Sequence, residues 1–241
     1  MDFDEALERT QWDLLWVPPG TRVVDRPELL FLASSEPDQY LNSVLRIRAR
    51  EDRVESLVAE VSEAHAETTS RFQVTPAARS DALERALATY GYAPTAQNFA
   101  FALACDEHRP SKVSGIIVRK IETLEDVRAA VAAFGRPGQL SEGRLAIDLA
   151  VSTRPGTRIH RYIAWDGEMP VATAGMNLFP QLDLALFWGG GTVPEARGRG
   201  AYAALIDTRV AAAHGLGVSR IGVYAREETS APIVERRATA A

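Results

Sequence analysis

The segment Thr192-Val193-Pro194-Glu195-Ala196-Arg197-Gly198-Arg199-Gly200-Ala201-Tyr202 joins two stretches of different hydrophobic periodicity. Before it, apolar residues alternate with the period of a half-buried strand, at Leu182, Leu184, Leu186 and Trp188. After it, apolar residues recur at helical spacing, at Tyr202, Ile206, Val210 and Ala213, until Gly215 and Gly217 end the pattern. The segment therefore predicts a strand, a loop rich in arginine and glycine, and a helix that begins near Gly200.

The loop has the composition of an anion site. Gly198 and Gly200 allow main-chain N–H groups to turn inward, and the first N–H groups of the helix have no partner within it. The positive end of the helix dipole points at the same place. Together these features favour a bound phosphate, with Arg197 and Arg199 as additional cations.

One reading of the loop is a dinucleotide-binding fingerprint, because Gly198-x-Gly200-x-x-Ala203 fits its loose form. In that fingerprint, however, the glycines follow the strand directly, whereas residues 194–197 intervene here. No acidic residue ends a second strand about 20 residues later, and the lysine of a phosphate-cradling P-loop is also missing. A nucleotide-dependent oxidoreductase therefore remains only a minor hypothesis.

The segment resembles the acyl-CoA signature of the GNAT superfamily of N-acetyltransferases, Arg/Gln-x-x-Gly-x-Gly/Ala. Arg197 and Gly200 match the signature, and Tyr202 stands where it has a small residue. The flanks strengthen the likeness, since the helix is followed by an apolar strand, Ser219–Ala225, and by a further helix that opens around Thr229–Ile233. That order is similar to the second half of a GNAT domain.

The resemblance implies acetyl-CoA as co-substrate and an amine as acceptor. Main-chain groups of Thr192 and Val193 are expected to pair with the pantetheine arm. The N–H groups of residues 198–202 are expected to hold the pyrophosphate, and Tyr202 itself to turn into the core. The expected donor-binding set is Thr192, Val193, Arg197, Gly198, Arg199, Gly200, Ala201 and Tyr202.

Acyl transfer to an amine needs a base for the ammonium and can use an acid for the leaving thiolate. In many members of the family that acid is a tyrosine, and the corresponding residue here is Val234. Candidate bases are Glu195, Asp183 and Tyr224, each more typical of a structural role. The sequence therefore leaves the catalytic residues unassigned.

Composition narrows the class of protein. Of 241 residues 46% are hydrophobic, enough for one large or two small cores. No apolar run approaches the roughly 20 residues of a membrane span, and the acidic start is unlike a secretory signal, so a cytoplasmic protein without a membrane partner is expected. Cys105 is the single cysteine and the four histidines are scattered, so no metal site is expected. A net charge of -5 gives no footprint for nucleic acid.

Strands and helices alternate along the whole chain, which predicts an α/β protein with mixed sheets. The helical pattern of residues 51–67 corresponds to the helix after Arg199, and residues 71–74 correspond to Ser219–Ala225. The polar stretch Pro110–Ser114 separates the two halves. We therefore expect a degenerate GNAT-like domain over residues 1–108 and a GNAT acetyl-CoA-binding domain over residues 112–241, similar to tandem-GNAT proteins.

The second half stops soon after Arg237, where the first half continues into Gly91-Tyr92 and further strand material. This predicts an open sheet edge, to be covered either by the first half or by a partner chain as in a homodimer. The leading hypothesis is an acetyl-CoA-dependent N-acyltransferase. The alternative, motivated by Val234 and this short end, is a catalytically inactive acyl-CoA-binding regulatory module.

Overall fold

The computed structural model describes residues 2–134 and 142–238. The chain divides into two compact units: a smaller one, Glu8–Ala96, and a larger one made of the described parts of Met1–Leu7 and Gln97–Ala241. The division falls at residue 97, ahead of the polar stretch at which the sequence predicted it. The physical reason is a strand pairing described below.

The smaller unit is a four-stranded sheet with two helices. Its strands, in the order β1-β2-β3-β4, are β1 (Arg22–Arg26), β2 (Leu29–Ala33), β3 (Ser43–Ile47) and β4 (Arg71–Phe72). Its helices are α2 (Glu51–Ala64) and α3 (Asp81–Thr89). The apolar stripe of α2, at Val54, Leu57, Val58 and Val61, packs with β2 and β3 into one core. Ser80 caps α3 by accepting a hydrogen bond from the amide of Leu83 at 3.2 Å.

The larger unit is a six-stranded sheet in the order β5-β10-β9-β8-β7-β6. Its strands are β5 (Asn98–Ala104), β6 (Ile116–Lys120), β7 (Ile159–Asp166), β8 (Met169–Phe179), β9 (Leu184–Thr192) and β10 (Arg220–Arg226). Its helices are α4 (Leu124–Phe134), α5 (Glu142–Thr153), α6 (Ala201–Gly215) and α7 (Ala231–Ala238). Helix α1 (Phe3–Arg9) begins in this unit, with Leu7 against Gly222.

The two faces of the larger sheet carry different helices. On one face the buried side of α6, including Leu205 and Val210, packs on Tyr162, Met176 and Phe187 of three neighbouring strands. On the other face, a second core joins α4 and α5 to β7 and includes Val127, Leu145 and Ile163. Successive strand residues point to opposite faces of the sheet, and helices cover both faces, so both faces are buried.

β5 pairs antiparallel with β10 along seven residue pairs, from Arg220↔Ala104 to Arg226↔Asn98. It therefore covers the edge of β10 with a strand of the predicted first half, which is one of the two alternatives that the sequence left open, and that edge gives no reason to expect a homodimer. The pairing also places residues 97–108 in the larger unit, so the predicted boundary at 108–112 is corrected to residue 97. Periodicity could not reveal this, because the two strands lie more than 100 residues apart in the sequence.

The two units repeat one supersecondary order. In the smaller unit β3 and β4 are parallel and joined by α2, and in the larger unit β9 and β10 are parallel and joined by α6. The connections differ at the start of the helix, because α2 follows β3 after three residues and has Arg50 at its N-cap. Only the larger unit has the long glycine-containing loop.

The expected fold class, mixed α/β with two related halves, is confirmed. The glycine-containing stretch Gly135–Gly143, for which the sequence predicts a loop, lies mostly outside the described residues. Within the described ranges, no helix is long and apolar enough to cross a membrane.

Candidate functional site

β9 and β10 part from one another midway along their length. Their parallel register runs from Arg220↔Leu184 to Val223↔Phe187 and then stops. Beyond that point β10 continues on β5, while β9 continues on β8. The sheet therefore opens into a V-shaped splay at Trp188 and Tyr224, between two strands that each keep a partner on the outer side.

The Gly189-Gly190-Gly191 run makes this opening possible. The register of β9 on β8 shifts between Thr173↔Gly191 and Gly175↔Trp188, so β9 carries a bulge there. Gly189 has a φ of 61°, which lies in the left-handed region. A Cβ at Gly190 would lie 2.4 Å from the ring of Tyr202. The bulge thus turns β9 away from β10 and lets an aromatic side chain approach its backbone.

A loop and a helix N-terminus follow the splay. Gly198 and Gly200 have φ values of 77° and 86°, and no side chain caps α6. The amides of residues 200–203 have no hydrogen-bond partner among the described residues. These N–H groups, with the helix dipole behind them, form a site suited to an anion such as a phosphate. The geometry predicted for the loop is therefore present.

The two arginines of the loop have different surroundings. The exposed side chain of Arg197 has no ion-pair partner in the described parts of the chain. Arg199 instead forms an ion pair with Asp166, at the turn between β7 and β8. Arg197 is therefore available to a phosphate, whereas Arg199 must leave a carboxylate to reach one.

The backbone of Val193 is hydrogen-bonded within the protein. Its amide donates to the carbonyl of Val171 at 3.0 Å, and its carbonyl accepts from the amide of Ala196 at 3.0 Å. Val193 therefore has no free backbone donor for a pantetheine arm. Thr192 pairs with Ala172 of β8.

An apolar cavity of about 40 Å³ lies between α6 and α7 on one face of the sheet, beside the splay. Its walls are mainly aliphatic and aromatic side chains from β5, β9, β10 and both helices: Phe101, Leu103, Phe187, Ile206, Val210, Ile221, Val223 and Val234. Tyr202 also lines it. Tyr202 turns toward the core, as the sequence predicted, and packs against it as a half-buried side chain.

Arg209 is a buried cation, which no local sequence pattern indicates. Its side chain is 1% exposed on α6 and lies over the ring of Phe187. Its Nη1 donates to the carbonyl of Gly175 at 3.0 Å, whereas Nη2 has no partner among the described residues. Burial lowers the pKa of Arg209 to about 10, and the neighbouring Tyr202 acts in the opposite direction. No carboxylate in the described chain pairs with it.

The three candidate bases lie in different places. Asp183 precedes β9, at the end remote from the loop, and accepts a hydrogen bond from the amide of Ser219 at 2.7 Å. Hydrogen bonds from Ser219 lower the pKa of Asp183, as expected for a structural carboxylate. Glu195 is exposed in the short helix Pro194–Ala196. Tyr224 is the first residue of β10 inside the splay, so only Tyr224 lies beside the opening.

A short strap before β6 packs along α6. Nε2 of His108 lies 2.8 Å from one carboxylate oxygen of Asp207, and the amide of Ser111 donates to the other at 2.8 Å. Val113 then approaches Gly200 so closely that a Cβ there would lie 2.9 Å from it. The polar stretch Pro110–Ser114, which the sequence predicted to separate the two halves, therefore packs behind the loop. Its contact with Gly200 depends on tertiary packing, which no local pattern reports.

Metal ligation finds no support in the described residues, where no group of three or more His, Cys, Asp or Glu side chains could hold an ion. Cys105 is buried, and its Sγ lies 3.4 Å from the carbonyl of Val218. Among the described residues, the groups at the splay and the loop that follows it are backbone amides, the side chain of Arg197 and aromatic side chains.

Solved structures with this architecture include proteins named as N-acetyltransferases. A GCN5-related N-acetyltransferase from Kribbella flavida superposes with a TM-score of 0.68 at 16% identity, over 93% of this chain and 86% of that chain. A GCN5-related N-acetyltransferase from Sphaerobacter thermophilus superposes with a TM-score of 0.60 at 17% identity, over 90% of this chain and 78% of that chain. A tandem GNAT protein from the clavulanic acid biosynthesis pathway superposes with a TM-score of 0.60 at 16% identity, over 97% of this chain and 83% of that chain.

No protein-family model matches the chain, and no curated protein matches it at a significant level. At the identities above, the structural likeness establishes the fold and nothing finer. The chain has the fold of the GCN5-related N-acetyltransferases, and the resemblance carried by residues 197–202 is confirmed at that level.

Proposed function

We propose that this protein is an N-acyltransferase that transfers an acetyl group from acetyl-CoA to an amine, and that the larger unit binds the donor. The observation that carries the proposal is the continuity of splay, loop and helix N-terminus. The thioester of acetyl-CoA can enter beyond Phe187 and Val223, where the strands part, while the pyrophosphate of the coenzyme meets the free amides of residues 200–203.

Catalysis at such a site rests mainly on proximity. When bound, acetyl-CoA supplies an activated acyl group, and the protein holds that group beside an amine in a restricted geometry. Trp188 and Tyr224 follow the last paired residues of the two strands, and their side chains alternate away from the cavity face. Trp188 is 37% exposed and fixed by a hydrogen bond from Nε1 to Asn177. We place the amine on this face of the splay.

The second candidate is an acyl-CoA-binding regulatory module without turnover. Val234 supports it, because this side chain lines the cavity and has no proton to give. The ion pair between Arg199 and Asp166 also reduces the charge free to meet the donor. This candidate shares the donor site with the first and differs only in the absence of chemistry.

A thiol-release assay distinguishes the two. The purified chain is given acetyl-CoA and a panel of amines, from polyamines and amino acids to peptide N-termini and lysine side chains. We expect release of free CoA that depends on one class of amine. Acetyl-pantetheine, which lacks the pyrophosphate, is the matched donor, and its KM should be much higher. Donor binding without thiol release from any amine would establish the regulatory module instead.

A further inference from the structure

Tyr202 provides the one polar side-chain atom among the described residues that line the α6–α7 cavity. Its ring packs against the bulge of β9, so that a Cβ on Gly190 would lie 2.4 Å from Cε2 and 3.1 Å from the hydroxyl oxygen. Gly190 follows Phe187, the last residue of β9 paired with β10, by three positions. The hydroxyl therefore lies at the opening of the splay, beside the cavity.

A buried cation stands behind this hydroxyl. Arg209 follows Tyr202 by seven residues, or two turns of α6, so the two side chains share one face of the helix. The Tyr202 phenol interacts with the guanidinium electrostatically and as a side-chain hydrogen-bond partner, although Nη2 itself forms no hydrogen bond of good geometry in the described chain. A cation held out of water next to a phenol stabilises the phenolate left when the proton is given away.

Resting on the proposed acyl transfer, we infer that Tyr202 is the catalytic acid that protonates the leaving thiolate of CoA, with Arg209 as a positioning residue behind it. The amine nitrogen forms a bond to the thioester carbonyl carbon, and the C–S bond breaks. The sulfur takes the proton of the Tyr202 hydroxyl, and the phenolate recovers a proton through solvent from the nitrogen that becomes the amide. One proton leaves nitrogen and one reaches sulfur, so the step balances.

The cavity explains why the acid is needed here. A thiolate formed beside Phe187, Val223 and Val234 would be an unsolvated anion among apolar side chains. Tyr202 is the one lining residue that can donate a proton, and the glycine at 190 gives its ring the space to reach the splay. The tyrosine that departs from the loop signature is thereby given a chemical role.

Tyr202→Phe tests this directly, with Tyr162→Phe as the matched control. Tyr162 is a buried tyrosine of β7 that also neighbours Arg209 but does not line the cavity. Each protein is titrated with acetyl-CoA and assayed for thiol release over a range of pH, with hydroxylamine as probe nucleophile and the amine panel alongside. We expect Tyr202→Phe to bind acetyl-CoA as the parent does and to lose about 10²–10⁴-fold in kcat.

The pH profile separates chemistry from structure. An acid must hold its proton, so parent turnover should fall at alkaline pH, and Tyr202→Phe should lack that fall. Replacing Tyr202 with 3-fluorotyrosine, a more acidic phenol, should move this fall in turnover to lower pH. An unchanged kcat in Tyr202→Phe, or an unmoved profile, overturns this inference alone. A parent that binds acetyl-CoA but releases no thiol overturns both this inference and the proposed acyl transfer, and a parent that does not bind acetyl-CoA overturns the donor site as well.

Discussion

At the scale of single residues, the site depends on two glycines that make room for two aromatic rings. Gly190 accommodates Tyr202 on the face covered by α6, and Gly175 accommodates Trp188 on the opposite face. The carbonyl of Gly175 also accepts a hydrogen bond from Arg209. Close packing of backbone against aromatic ring on both faces fixes the bulge, since a core has little space to absorb an added methyl group.

Gly175→Ala should destabilise the protein by about 1–3 kcal/mol, because the new Cβ would lie 2.2 Å from the ring of Trp188. In a Trp188→Ala background the same change should cost much less, which a double-mutant cycle in urea would measure. Gly215→Ala, at a helical site with open space around the added Cβ, is the control and should be close to neutral or stabilising. Equal costs of Gly175→Ala in both backgrounds would contradict the packing account.

Asp166→Asn should strengthen acetyl-CoA binding about two- to fivefold, because it removes the carboxylate that holds Arg199. The small size of the effect follows from the exposure of the pair, 57% for Arg199 and 26% for Asp166. Calorimetric titration measures it, and Arg199→Ala provides the comparison, with an expected loss of affinity. If both variants bind like the parent, Arg199 has no part in holding the donor.

At the scale of elements, the sequence predicted the centre of the site better than its surroundings. Alternation up to Trp188 and helical spacing after Tyr202 are local patterns, and β9 and α6 appear where those patterns place them. The pairing of β5 with β10 and the packing of Val113 on Gly200 join residues far apart in the chain. Such contacts are set by tertiary packing, so neither hydrophobic period nor turn chemistry could indicate them.

The burial of Arg209 was also invisible to the sequence. An arginine on a helix is typical of a solvent-facing position, yet Arg209 is almost fully buried and donates a hydrogen bond to the carbonyl of Gly175. The ion pair of Arg199 with Asp166 was missed for a similar reason, since it joins a loop to a hairpin turn more than 30 residues away. Local propensity has no access to either partner.

The splay should show itself in amide hydrogen exchange. Amides of β9 and β10 beyond Phe187 and Val223 that face the opening should exchange quickly, because only their outer edges are paired. At acetyl-CoA concentrations about 100 times Kd, their exchange should slow by up to about 100-fold. Amides of β1 and β2 in the smaller unit serve as the control and should be unaffected. Protection confined to other strands would contradict a donor bound in the splay.

At the scale of the whole molecule, the chain is built from two units with the same β-α-β order and different loops. The larger unit has the glycine loop, and the smaller one joins β3 to α2 through three residues. The smaller unit therefore lacks the amide cradle that the larger unit presents. The smaller unit has a buried histidine, His65, which is 3% exposed.

His65 should make the smaller unit sensitive to acid. Its Nε2 lies 2.7 Å from the carbonyl of Leu32 and its Nδ1 lies 2.6 Å from the hydroxyl of Ser70, so the neutral ring donates to one and accepts from the other. Burial lowers the pKa of His65. The stability this neutral ring provides is complete above the unfolded pKa of about 6.5 and is lost below it, by up to about 1.4 kcal/mol per pH unit.

Hydrogen exchange in β2 and α2 as a function of pH tests this expectation. Between pH 7 and 5 the parent should lose protection in these elements, and His65→Gln should lose less because it has no group to protonate. His160, whose pKa burial also lowers, lies in β7 and should keep its own acid response in the variant. The same pH slope in both proteins would show that another group controls the acid sensitivity.

The central claim is that the loop of the larger unit binds an acyl-CoA, and calorimetric titration of acetyl-CoA tests it most directly. Arg197→Glu reverses a charge that is exposed and without an ion-pair partner in the described chain, and Arg85→Glu makes the same reversal on exposed α3 of the smaller unit. The account predicts one binding site in the parent and in Arg85→Glu, and binding at least about tenfold weaker in Arg197→Glu. No binding to the parent, or equal affinities in all three proteins, would contradict it.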